Sequence, residues 1–153
     1  MNHLIVIALA IITSASLSWA DAHSGWGGKS YSKSLGNTVT PGKSGTLIHS
    51  STSDVWDWSE APEGWPMAVT ATCHQTNVIS PENTHLFGRF ICESVDGDGD
   101  ISIWLGTWDG VNNTGTGKIL FGTGKYENVK MNDFTIKPVG AISSDTNILA
   151  FSN

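Results

Sequence analysis

Cys73 and Cys92 are the only cysteines in the chain, and each sits in a segment whose polarity alternates. From Met67, the apolar Met67, Val69, Ala71 and Cys73 alternate with Thr70, Thr72 and His74, the period of two that marks a half-buried β-strand. In residues 86–95, Leu86, Phe90 and Cys92 share one parity while Arg89 and Glu93 share the other. Pairing these segments as a hairpin across a loop at 77–83 sets the two sulfurs opposite each other. A disulfide there would close a loop of about twenty residues and contribute roughly 3 kcal/mol in the chain-entropy account.

The N-terminus places this chemistry in an oxidising compartment. Residues 1–20 run through the apolar Leu4-Ile5-Val6-Ile7-Ala8-Leu9-Ala10-Ile11-Ile12 and close on Ser18-Trp19-Ala20. An apolar stretch followed by small residues at −3 and −1 predicts an export signal cut after Ala20, so the protein is expected to be secreted or periplasmic. The stretch is short for a stable membrane span, which needs about 20 apolar residues. No membrane insertion is expected once the signal is removed. In exported proteins two cysteines form a disulfide more often than a thiolate nucleophile or a metal site. The reading is a disulfide.

The remaining residues match the usual size of one domain. A formal charge of −6 argues against nucleic acid, whose phosphates need a basic patch, and against anionic lipid. Few charges with 17 glycines and 7 tryptophans suit a turn-rich β-protein with a filled interior. Residues 21–29 are rich in glycine and serine and read as a flexible lead-in to a domain at 30–153. Strands are predicted at 31–40, 46–58, 67–74, 86–95 and 101–108, the last with Ile101, Ile103 and Leu105 opposing Ser102, Trp104 and Trp108. Shorter ones follow at 119–121, 126–131, 134–139 and 148–151. Pro41-Gly42 is a turn signal. No helix is convincing. Short strands with frequent turn signals predict an all-β domain, an antiparallel barrel or a sandwich.

The residues after the cysteines, His74 and Glu93, point to the face opposite the sulfurs. In the hairpin register Thr72 stands across from Glu93, with His74 on the diagonal. An imidazole beside a carboxylate can serve general acid–base chemistry, and can equally be an exposed pair on a sheet. Which face lines the interior decides between them. Asp96-Gly97-Asp98-Gly99-Asp100 copies the start of a calcium loop, but Ile101 stands where glycine is needed and Thr107 where glutamate is needed. The stretch reads as a hairpin turn, and no metal site is assigned. Gly115-Thr116-Gly117-Lys118 lacks the spacing of a phosphate loop. In Gly122-Thr123-Gly124-Lys125-Tyr126 the glycines permit a bend and the tyrosine can fill a barrel end. Asn112-Asn113-Thr114 fits the glycosylation pattern. Trp56, Trp58, Trp65, Trp104 and Trp108 can stack on a flat ligand or pack the core. Trp104, Trp108, Tyr126 and Arg89 are the candidate ligand contacts.

Two phrases carry a resemblance. Cys92-Glu93-Ser94-Val95-Asp96-Gly97-Asp98-Gly99-Asp100 and Gly122-Thr123-Gly124-Lys125-Tyr126, with Cys73-His74 upstream, resemble those of small exported bacterial proteins in the allene oxide cyclase barrel-like group. The likeness spans residues 71–126. It implies an eight-stranded antiparallel barrel with a central cavity, built like plant allene oxide cyclases, dirigent proteins and some bacterial cyclases. Phe121 replaces the first glycine of the second phrase, and residues 127–132 lack the glycine that follows it in the group. Only Cys73, His74, Cys92 and Glu93 match motif positions, and no catalytic residue carries over.

The expectation is therefore an exported barrel holding a small apolar or amphipathic molecule, with no cofactor. One alternative is an isomerase, cyclase or lyase in which Glu93 and His74 move a proton inside the barrel. Another is an interaction protein using exposed tryptophans. Dimers and trimers both occur among related barrels, so a homo-oligomer is compatible with this reading.

Overall fold

Polarity alternation continues along most of the chain and generates eight strands. The computed structural model describes residues 25–129, 131 and 133–153. The strands are β1 (Gly27–Gly42), β2 (Gly45–Asp57), β3 (Ala68–Ile79), β4 (His85–Val95), β5 (Ile101–Asp109), β6 (Thr114–Gly122), β7 (Phe134–Ser143) and β8 (Thr146–Ser152). Each pairs antiparallel with its successor and β8 returns to β1, so the sheet closes as a barrel in sequence order. The expected single antiparallel barrel is the fold observed. Closure satisfies the strand edges that an open sheet would leave exposed.

The cysteine hairpin has the register deduced from the sequence. Cys73 stands opposite Cys92, Thr72 opposite Glu93, and His74 opposite Ile91. A disulfide joins Cys73 to Cys92, with both residues buried. Beyond Cys73 the strand continues through Asn77, Val78 and Ile79, so the connecting loop is shorter than expected and spans 80–84. Asn83 turns the chain there with φ of +64°, a conformation asparagine tolerates better than most residues.

The two ends of the barrel differ. At one rim, short hairpins at 43–44, 80–84, 110–113 and 144–145 join the strands. At the other lie longer connections, 58–67, 96–100 and the described residues 123–129, 131 and 133 of the one after β6. An aromatic plug fills this end: Trp26, just ahead of β1, is buried there with Trp58 and Tyr126, and Trp65, Val129 and Met131 pack against them. Trp58 lies at its centre, its ring centroid 5.1 Å from Trp65 and 5.5 Å from both Trp26 and Trp104. Tilted and edge-on aromatic contacts of this kind are favourable beyond the area they bury.

Two expectations are corrected here. Of the strand predicted at 126–131, the described residues 126–129 and 131 are not in a strand: Gly124–Tyr126 make one 3-10 turn, and Tyr126, Val129 and Met131 serve the plug. Their apolar character reflects burial at a barrel end, which carries no period of two. Residues 25–29 are not a loose lead-in either, because β1 begins at Gly27 and Trp26 is buried. The predicted export signal and residues 21–24 lie outside the described residues.

One seam is narrow. Among the described residues β6 and β7 pair at three positions, Gly115 with Ile136, Thr116 with Thr135 and Gly117 with Phe134. Neighbouring β5 and β6 pair from Ser102–Gly122 to Asp109–Thr114.

Candidate ligand cavity

Inward-facing positions enclose a cavity of about 500 Å³. Each strand contributes alternate residues, as pleating requires: Thr52, Asp54 and Trp56 from β2, Phe90 from β4, and Trp104 and Trp108 from β5 all face it. On β7 and β8 the lining is aliphatic or aromatic at Phe134, Ile136, Leu149 and Phe151. The aromatic plug closes one end. Towards the short-hairpin rim the lining becomes mixed, with Asn77, Ile79, His85 and Asn147.

Inward glycines give the rings room. A Cβ on Gly106 would overlap the Phe90 ring and the Thr116 carbonyl, and one on Gly115 would meet the Trp108 ring at 2.6 Å. Gly106 and Gly115 are therefore part of the cavity wall, and the rings lie over them.

Asp54 is the one acidic side chain in that lining, and it is 5% exposed. Its Oδ2 accepts hydrogen bonds from Ser32 Oγ at 2.8 Å, Ser30 Oγ at 3.2 Å and Trp56 Nε1 at 3.2 Å. Cys73 Sγ lies 3.7 Å from the same oxygen, but a disulfide sulfur has no proton to give. Asp54 Oδ1 is buried and has no hydrogen-bond partner among the described residues, and the same holds for Thr52 Oγ1 and His85 Nε2. These are unpartnered polar atoms in a wall that also carries Ser30, Ser32, Gln75, Asn77 and Asn147 among its apolar side chains.

Of the sequence candidates, Trp104 and Trp108 line the cavity. His74 and Glu93 do not. They share the parity opposite to the inward cysteines and are exposed on the outer wall, where His74 Nδ1 shares a 2.9 Å hydrogen bond with Ser51 Oγ. Proton transfer by this pair inside the barrel is excluded by their position. Arg89 is also on the outer wall, its guanidinium 5.9 Å from the Phe87 ring centroid. Tyr126 is 1% exposed and belongs to the plug, beneath the cavity. Among the described residues every tryptophan is buried or half-buried, which removes the exposed-tryptophan surface. Asp54 was missed, although its signal was present: it shares a parity with Thr52 and Trp56 on β2.

The two phrases meet in space. Lys125 Nζ donates to Asp96 Oδ2 at 2.7 Å and Asp98 Oδ2 at 2.6 Å and lies 3.5 Å from Asp100 Oδ2. A lysine ammonium thus occupies the centre of the acidic turn, where a calcium loop would hold its ion. Asp96 Oδ1 accepts from the N–H groups of Asp98 and Asp100, and Thr123 Oγ1 accepts from Ile101 N–H. Gly124 adopts φ of +52°, and a Cβ there would collide with the Asp100 carboxylate. The pairing holds the plug in register with the wall.

Burial raises the Asp96 pKa, but hydrogen bonds from Lys125 and from the backbone of Asp98 and Asp100 outweigh it, leaving it below 3.8. Asp96 therefore adds stability above pH 3.8, and that increment is lost as pH falls through its lower folded value. Desolvation lowers the Lys125 pKa, but its bonds to Asp96 and Asp98 prevail and hold it above 10.5. Its contribution is complete below pH 10.5 and lost as pH rises beyond its folded value. Burial first, then the Asp96 charge, holds the Tyr126 phenol well above its ordinary 10.0. Lys125→Met leaves the fully buried Asp96 carboxylate without its cation, and is expected to cost about 2 kcal/mol, less than a fully buried pair because Asp98 is exposed. Urea unfolding at pH 7 checks this; a loss below about 0.5 kcal/mol would show the cluster to be an ordinary surface network.

No protein-family model, curated protein or solved structure matches the chain.

Proposed function

We propose that this is an exported barrel of the allene oxide cyclase barrel-like group that binds a small, largely apolar molecule in its cavity. The observation that carries the reading is the barrel cavity of about 500 Å³, lined mainly by aromatic and aliphatic side chains and set with a few unpartnered polar atoms. Ligand sites have this size and composition. The eight-stranded closure and the docking of the two phrases against each other support the family assignment, and the disulfide supports an oxidising compartment. An enzymatic role has no comparable support, because the sequence candidates for proton transfer stand outside the cavity.

Binding is tested with the neutral fluorophore N-phenylnaphthylamine. Saturable fluorescence enhancement with one site per chain is expected. Leu149→Trp, which projects a larger ring into the same space, is expected to weaken it by about tenfold or more. The reading fails if the wild type shows no saturable enhancement and protein purified from its own host carries no small molecule in native mass spectrometry.

A further inference from the structure

Asp54 narrows the chemistry of the occupant, and the inference rests on the cavity being a binding site. The lining contains no lysine or arginine, and Lys29 and Lys33 on β1 alternate outward from Ser30 and Ser32. Only neutral donors reach the carboxylate, and all of them converge on Oδ2. Oδ1 is left buried without a donor. Burying carboxylate charge without a counter-charge is expensive, so this position is shaped for a group that brings both a proton and positive charge.

Its surroundings fit that group. The Trp56 indole is hydrogen-bonded to the carboxylate and stands edge-on to Trp104, with centroids 5.5 Å apart. Indole faces attract cations, most strongly where water is excluded. Thr52, two residues away on the same inward face of β2, offers a second unpartnered oxygen. Phe90, Phe134, Leu149 and Phe151 supply apolar wall for the rest of the molecule.

We infer that the cavity takes a cationic amine: its ammonium donates to Asp54 Oδ1 and Thr52 Oγ1 beside the Trp56–Trp104 pair, and its apolar body lies against the phenylalanine-lined wall. Charge-assisted bonds of this kind are about twice as strong as neutral ones. The selectivity therefore resides in Asp54.

The test uses three molecules of one shape and different charge: naphthylmethylamine, naphthylmethanol and naphthylacetate, titrated calorimetrically at pH 7. The amine is expected to bind about tenfold tighter than the alcohol, and the acid not to bind measurably. Asp54→Asn should shrink the amine's tenfold advantage over the alcohol to about twofold or less. Equal binding of amine and alcohol to the wild type would overturn the inference and leave the cavity reading standing. Failure of all three together with N-phenylnaphthylamine would remove both. Should Asp54→Asn not fold, the wild-type ratio of amine to alcohol decides alone.

Discussion

Replacing Trp58 by alanine is expected to destabilise the barrel by about 3–5 kcal/mol, the range for deleting a large buried aromatic side chain. Trp58 is 2% exposed and stands against Trp26, Trp56, Trp65, Trp104 and Phe151, with centroids 5.1–6.4 Å away. Those partners come from β2, β5, β8, the chain preceding β1 and the β2–β3 connection, so they cannot collapse together into the space left behind. Its indole Nε1 is buried without an acceptor among the described residues. Trp58→Phe therefore removes volume but no hydrogen bond, and should cost only about 1–2 kcal/mol. Urea denaturation of the three proteins measures both differences. A Trp58→Ala loss under about 1.5 kcal/mol would mean that the plug is loosely packed and the cavity floor soft.

Loss of the disulfide is the second large effect. The double change Cys73→Ala with Cys92→Ala is expected to lower unfolding free energy by about 3 kcal/mol, chiefly by releasing the unfolded chain. The two residues are 19 positions apart and already face each other across β3 and β4, with Cα atoms 4.1 Å apart. Removing the bond therefore leaves the strand pairing intact. Reduction of the wild type under partly denaturing conditions should reproduce the shift without any change of side-chain volume. Both sulfurs border the cavity, so alanine at both sites enlarges it slightly and should not abolish binding. Agreement between the double variant and the oxidised wild type to within about 0.5 kcal/mol would sink the expectation.

The parts of this fold that were legible are those in which polarity alternation and chain chemistry agree. In 67–74 and 86–95 the odd–even pattern, joined to the cysteine pair, specified register to the residue, and Cys73 does face Cys92. Alternation fixes parity but does not say which side is inside. On β5 the aliphatic side of Ile103 and Leu105 faces out, and Ser102, Trp104 and Gly106 are buried inside. A cavity wall favours rings and the small residues that make room for them, so the hydropathy of the two faces is inverted. The same inversion hid Asp54, an acid at an inward position, while the more conspicuous His74 and Glu93 were placed outside by the very cysteines that made them visible. Residues 126–131 were misread for a different reason. Tyr126, Val129 and Met131 cap the barrel, and a cap needs bulk without any periodicity.

The three-position seam between β6 and β7 makes the cylinder unequal around its circumference. The cylinder is thus least braced against local opening along that line and most braced where the Cys73–Cys92 bond ties β3 to β4, so two walls of one cavity differ in stiffness.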